Sequence, residues 1–372
     1  MDKLKVFRVW EDSELKNLRF LDQHHSLPFI LERDNFIFSG VMSESDIIVV
    51  LSDMADGHKQ YEEIKKHYKN QLILILHIFH SEENFSAKRM FDFYKKKFSD
   101  LTDRIQIVHT EIGYDQGIYY DWLWNRQKLL FTDYDKYHVG DYNYMDRASK
   151  KMYELSEIKR KSWGTRKFIC MNRTRHGDYS DRNIRRVFLR DYLKDHDGYY
   201  TDPENNIKFL SQESVPYYTH DRRGVTTDYK MDVGFGKVHP IHDLYYENTI
   251  FSIYVETLTY FGPERMRTIT EKTWNPLIKG HYILPFGYCG IIKDIKEYGF
   301  LLPDWIDYSY DSIESDSIRF MKYIESINKL LMMSNQDLVT LSDNGLDILN
   351  YNRNLFFKKG YSKLLPSVMK FL

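Results

Sequence analysis

Two cysteines and nine prolines in 372 residues leave little room for several classes of protein. A disulfide-stapled scaffold needs several paired cysteines. Cys170 and Cys289 stand far apart, each inside an apolar run, as buried thiols of a reducing compartment do. No Cys and His spacing suits zinc. Neither sign of charge is in excess: 53 Lys plus Arg face 54 Asp plus Glu, which argues against a whole-molecule electrostatic claim on nucleic acid or a membrane surface. Apolar runs fall far short of a bilayer span, and Met1-Asp2-Lys3-Leu4-Lys5 has no apolar h-region, so a cytoplasmic protein is expected. No Gly-rich dinucleotide fingerprint follows any apolar run, and no Walker A sequence occurs.

What is present is enough apolar material for two cores, 42% of the residues, in a chain of two-domain length. The 30 Tyr and 23 Phe are read as compositional bias. Residues 1 to 46 show no clear period beyond a short strand at Phe36-Ile37-Phe38. Buried strands at Ile47 to Leu51, Leu72 to Leu76 and Ile105 to Val108 then alternate with helices at Tyr61 to Tyr68 and Ala87 to Phe98. Such alternation predicts βαβ units and a parallel sheet, a first Rossmann-like domain over 1–160. Tyr119 to Arg126 reads as the opening of a helix whose aromatics pack or line a groove. Residues 147–167 carry eight Lys or Arg against two Glu: a solvated helix face, or a backbone contact to a polyanion such as DNA.

A second domain, 161–345, opens with a strand at Lys167 to Met171. Its following loop, Asn172-Arg173-Thr174-Arg175, precedes a helix at Arg182 to Leu193. Guanidinium groups at the carboxyl edge of a sheet grip diphosphates, which makes Arg173, then Arg175, candidates. The interval Gly198 to Asn248 reads as a polar insertion or mobile loop. Helices follow at Ile313 to Met332 and Leu341 to Phe357, and residues 346–372 form a C-terminal segment expected to cross back to the first domain.

The most informative stretch runs from Phe251 to Asp307. A strand, Phe251 to Val255, leads through Glu256 and a polar insert to a helix with Thr270 as N-cap, opening Glu271-Lys272-Thr273-Trp274. A helix start at the carboxyl edge of a parallel sheet presents free N–H groups and a positive dipole end, where phosphates bind. Lys272 adds a cation there, and Glu271 can accept the two hydroxyls of a ribose. The plainer reading is a dipole-complementing first-turn acid beside a solvated Lys.

Thr270-Glu271-Lys272-Thr273-Trp274, with Pro276, Gly280-His281, Pro285-Phe286-Gly287, Gly299-Phe300 and Asp307, resembles the donor-binding segment of the fucosyltransferase and exostosin-like glycosyltransferases, most closely their bacteriophage branch. The likeness extends to Phe168 to Arg173 and to Asn352-Arg353-Asn354, and so covers roughly the C-terminal half. It implies an α/β fold of two Rossmann-like domains facing a cleft (GT-B). It also implies metal-independent, inverting transfer of a sugar from a nucleotide-sugar donor, UDP- or GDP-linked, to a hydroxyl, with no further cofactor. Glu271 then takes the ribose and Lys272 the phosphates. The donor set becomes Arg173, Arg175, Glu256, Thr270, Glu271, Lys272 and Thr273. Thr257 stands where fucosyltransferases carry an Asn that contacts the donor.

A general base is expected on the first domain, from Glu111, Asp115, or His24 or His25. The acceptor stays open between a hydroxymethylated base in phage duplex DNA and a surface glycan or lipid-linked oligosaccharide. A donor-binding protein without catalysis is the other alternative. Asp133-Tyr134-Asp135 and Asp195-His196-Asp197 match the Asp-x-Asp pattern of metal-dependent GT-A enzymes, a weaker option.

Overall fold

The computed structural model of the chain describes residues 4–9, 36–38, 41–51, 57–77, 86–121, 124, 158, 166–170, 172, 180–201, 207–209, 213–215, 246–256, 267–359 and 365–372. Those residues form two six-stranded sheets flanked by helices, the α/β architecture expected from the strand-helix alternation.

The first sheet holds β1 (Leu4–Val9), β2 (Phe36–Phe38), β3 (Ile47–Leu51), β4 (Leu72–His77), β5 (Ile105–His109) and β6 (Ile118–Tyr119). Its order is β2-β1-β3-β4-β5-β6, and every pairing is parallel. A parallel sheet is covered on both faces, which is why β3 and β4 read as unbroken apolar runs. Two helices, α1 (Gly57–His67) and α2 (Ala87–Lys97), lay Tyr61, Ile64, Met90 and Tyr94 on Ile48, Val50, Ile73, Ile75 and Ile107. Each fully buried aliphatic side chain stabilises this layer by about 1.5–3 kcal/mol. Ser86 caps α2 by accepting from the Arg89 amide at 3.2 Å, the usual arrangement for a serine N-cap.

The second sheet holds β7 (Arg166–Cys170), β8 (Gly198–Thr201), β9 (Ile207–Phe209), β10 (Glu213–Val215), β11 (Thr249–Val255) and β12 (Tyr282–Phe286), in the order β10-β9-β8-β7-β11-β12. Strands β8-β7-β11-β12 are parallel, and β9 and β10 add antiparallel. Around them lie α3 (Asp181–Leu193), α4 (Glu271–Ile278), α5 (Ile291–Glu297), α6 (Asp316–Met332), α7 (Asn335–Asn344), α8 (Leu346–Lys358) and α9 (Leu365–Val368).

The chain leaving β6 docks directly on this second unit. Trp124 packs edge-on against Trp274 at 5.2 Å between ring centroids and tilted against Phe356 at 4.6 Å. Asp121 is buried. It accepts from the Trp124 amide at 2.9 Å and from the Tyr298 hydroxyl, which also pairs with the Tyr119 hydroxyl at 2.7 Å. At the other end of the chain, Arg104 donates to the carbonyls of Phe371 and Leu372 at 3.4 Å each.

Several sequence expectations need correction. Leu4–Val9 is a strand paired on both sides; exposed Lys5 beside buried Val6 hid its short apolar alternation. Tyr119 belongs to β6, and of the helix expected over Tyr119 to Arg126 only Trp124 is described as helical. The interval taken as an insertion supplies β8, β9 and β10. The helix expected over Leu341 to Phe357 is two, broken at Gly345, where an added Cβ would lie 2.2 Å from the Tyr282 hydroxyl. Cys170 is buried, but Cys289 is only partly so. The basic stretch before β7 lies outside the described residues except Ile158, Arg166 and Lys167.

Candidate active site

In a doubly wound sheet, ligands sit at the carboxyl ends of the two strands between which the chain reverses direction. In the second sheet these are β7 and β11, since β8 lies outside β7 and β12 outside β11. Asn172, just beyond β7, accepts from the Val255 amide at 3.1 Å and donates to Cys170 Sγ at 3.4 Å. Arg186 on α3 donates to the carbonyls of Val255 and Glu256 at 3.1 and 3.3 Å. Backbone groups that a strand end would leave open are thus met by side chains.

Glu256 follows β11 and is fully buried. One carboxyl oxygen accepts from the Thr273 hydroxyl at 2.7 Å and the Thr270 amide at 3.3 Å; the other accepts from the Thr270 hydroxyl at 2.5 Å. Thr270 in turn caps α4, its Oγ1 accepting from the Lys272 amide at 3.3 Å. The strand end therefore grips the first turn of the helix. Thr270 and Thr273 are fully enclosed and anchor that turn, and Glu256 joins them as an anchor in this structure.

Glu271 and Lys272 differ from these three. Their side chains retain 34% and 20% of their exposure and pair with each other at 2.9 Å. A ligand carrying a diol and a diphosphate can compete for both groups beside the helix N-terminus.

The first sheet brings its β5 end against the segment that leads into α4. His109 ends β5, and its Nε2 sits 3.1 Å from the Gln116 carbonyl while Nδ1 accepts from the Glu111 amide at 3.2 Å. A carbonyl only accepts, so Nε2 carries the proton and the imidazole is fully occupied. Burial pushes its pKa down from 6.5 to about 4, and with Nδ1 already accepting from the Glu111 amide the neutral ring has no lone pair left to act as a base. The unfolded chain takes up a proton that the folded one refuses, so stability is lost as pH falls from 6.5 towards 4. Urea unfolding at pH 7 and pH 5 is expected to show wild type losing about 2 kcal/mol more than His109→Gln between those conditions. Equal losses would contradict the buried neutral ring.

Glu111, two residues on, is 9% exposed. Its Oε2 accepts from the Ala87 amide at the start of α2, at 2.7 Å, and Oε1 takes no hydrogen bond from the described residues. Burial raises its pKa, opposed by the Ala87 bond and by the charge of Arg267. Two contacts join this strand end to the segment leading into α4: the Ile112 amide donates to the Arg267 carbonyl at 2.7 Å, and the Thr268 hydroxyl to the Thr110 carbonyl at 3.4 Å. Glu111 and the Thr270 to Thr273 turn therefore border one junction between the two sheets.

The remaining candidates divide as follows. Asp115 lies exposed on the turn between Gly113 and Gly117. His24, His25, Arg173, Arg175, Thr257 and Asp133-Tyr134-Asp135 lie outside the described residues. Asp195-His196-Asp197 lies before β8, at the edge opposite the carboxyl ends, and Asp197 is engaged by Arg166 at 3.0 Å and Asn335 at 3.0 Å. That position removes it from any donor site at the strand ends. Among the described residues no group of three or more His, Cys, Asp or Glu side chains is arranged to hold a metal ion, and no helix is long and apolar enough to cross a membrane.

Sequence reading missed Arg267, Asp294 and Tyr288. Arg267 Nη2 meets buried Asp294 at 2.5 Å, and Tyr288 donates to the same carboxylate at 2.6 Å. No motif marks these three, which only the fold gathers.

No protein-family model and no curated protein matches the sequence. Among solved structures the chain is similar to a crystal structure of alpha1,3-fucosyltransferase, with 12% identity and a TM-score of 0.46 over 94% of this chain and 80% of that one. It is similar also to a crystal structure of alpha1,3-fucosyltransferase with GDP-fucose, with 13% identity and a TM-score of 0.46 over 100% of this chain and 89% of that one. No residue of this chain takes a role from that likeness.

Proposed function

We propose that the chain is a GT-B glycosyltransferase that moves a sugar from a nucleotide sugar to a hydroxyl acceptor. The observation that carries this reading is the α4 start: Glu271 and Lys272 remain partly open, on a turn pinned by Glu256 beside the β7/β11 crevice, with Glu111 at the same junction. The sequence resemblance of Thr270 to Trp274 supports it.

In this mechanism Glu271 accepts the ribose hydroxyls, while Lys272 and the helix N-terminus hold the pyrophosphate. Glu111 takes the proton of the acceptor hydroxyl. The freed oxygen attacks the anomeric carbon from the face opposite the nucleotide and the carbon–oxygen bond to phosphate breaks. The electron pair leaves with the nucleoside diphosphate, and the anomeric centre inverts. Lys272 and the helix dipole neutralise the leaving charge without requiring a metal. Arg173 and Arg175 are assigned to the same phosphates.

The reaction is assigned to the cytoplasm. A hydroxymethylated base in phage DNA is the acceptor that the basic stretch suggests; a surface glycan or lipid-linked oligosaccharide is the other class. Incubating candidate acceptors of both classes with UDP- and GDP-sugars and measuring their mass decides between them. Donor binding with no mass shift and no donor hydrolysis would leave a non-catalytic binding protein. Lys272→Ala and Glu271→Ala are each expected to weaken nucleotide-sugar binding about 10–100-fold by calorimetry, as the loss of a hydrogen bond to a charged group costs about 1.5–3 kcal/mol. Unchanged affinity in both variants would refute the donor site.

A further inference from the structure

Arg267 was no part of the donor or base sets, yet it stands where the two sheets meet. Its carbonyl takes the Ile112 amide at 2.7 Å. Its guanidinium reaches back to Asp294 on α5 at 2.5 Å and lies over the Tyr288 ring, 5.5 Å from its centroid. The other face rests on the turn after β5: a Cβ built on Gly113, whose φ is +85°, would sit 3.0 Å from Arg267 Nη1. The second unit thus sends a braced cation into the turn that begins at Glu111.

We propose that Arg267 is a positioning residue for Glu111, a strut from the second unit that props the turn leaving Glu111 and brings a positive charge to that turn. This rests on the reading of Glu111 as the base. Among the described residues, the groups around Glu111 are as follows. On β5, His109 is neutral and accepts the Glu111 amide. On α2, the Ala87 amide donates to the carboxylate. On the following turn stand Tyr114, whose pKa burial raises to about 12, and exposed Asp115. Among the described residues, Arg267 is a cation whose charge opposes the effect of burial on Glu111. Asp294, buried behind it, holds the guanidinium without sharing the turn.

This arrangement matters chemically because a buried carboxyl drifts towards its protonated form and a protonated acid cannot take the acceptor's proton. Bringing the cation from the other unit also ties a competent base to the docked arrangement of the two sheets. A bystander Arg would hold the junction together without touching the ionisation of Glu111.

The test follows the Glu111 side-chain carboxyl carbon by 13C NMR titration in the full chain, the signal assigned by its loss in Glu111→Gln. Arg267→Gln is expected to move the titration up by roughly 0.5–1 pH unit, and Arg267→Lys, which keeps a cation, to return most of that shift. If thermal melting shows that Arg267→Gln does not fold, Arg267→Met, which keeps the stem on Tyr288, is titrated in its place. The acid limb of the transfer rate is expected to move with the carboxyl. An unmoved titration in the folded charge-removing variant, with transfer lost in Glu111→Gln, overturns this proposal alone. Transfer kept in full by Glu111→Gln overturns the base reading and this proposal with it.

Discussion

Glu256→Ala is expected to lower the stability of the chain by about 3–5 kcal/mol and to abolish the proposed nucleotide-sugar binding. The carboxyl group has no solvent access, and three donors converge on it, two of them hydroxyls within 2.7 Å. Removing it strands the Thr270 amide and forces both hydroxyls to find other acceptors inside the protein, at about 1–3 kcal/mol for each donor left unmet. The first turn of α4 then loses its tie to β11, and Glu271 and Lys272 lose the position on which the proposed donor contacts depend. Glu256→Gln keeps the shape and one acceptor oxygen, so its expected cost is smaller, about 1 kcal/mol. Urea unfolding gives the first quantity and calorimetry the second. A Glu256→Ala chain with wild-type stability would show that the carboxyl does not anchor the helix.

Trp274→Ala carries the other large effect, about 3–5 kcal/mol, the usual cost of truncating a buried Trp. Trp274 is fully buried and touches Tyr298 and Phe300 as well as Trp124, the last of these carried on the chain leaving the first sheet. The same indole therefore fills the second core and receives the first unit's exit segment. Wild type is expected to unfold in one calorimetric transition and Trp274→Ala in two, the second sheet melting earlier. A single transition of undiminished temperature would mean that the aromatic contact does not couple the units.

Most of the parallel strands were legible because a strand covered on both faces needs an uninterrupted apolar run, and Ile47 to Leu51, Leu72 to Leu76 and Phe251 to Val255 are such runs. The start of α4 was legible from Thr270, since an N-cap threonine has a local geometric reason to be there. β1 was not, because its charged Lys5 and Arg8 interrupt the run. β8 to β10 escaped because they extend an edge, where Tyr199, Tyr200 and Lys208 suffice without an apolar signature. In the site, Glu271 and Lys272 could be singled out as adjacent residues at a helix start. The tie between Arg267 and Asp294 spans 27 positions, and nothing local announces it. Glu256 shows the opposite limit: the sequence marked it as important, but whether it faces a ligand or the protein depends on where Thr270 and Thr273 return to it, which only the fold decides.

Both sheets thread their parallel strands alike: β2-β1-β3-β4 in one, β8-β7-β11-β12 in the other, second-first-third-fourth in order of appearance. Repeating one wiring plan gives a molecule two equivalent seats for small molecules, each at its own reversal point. In the proposed transferase neither half must then satisfy both reactants, so the half without the α4 turn can vary what it admits while its counterpart keeps the proposed donor site.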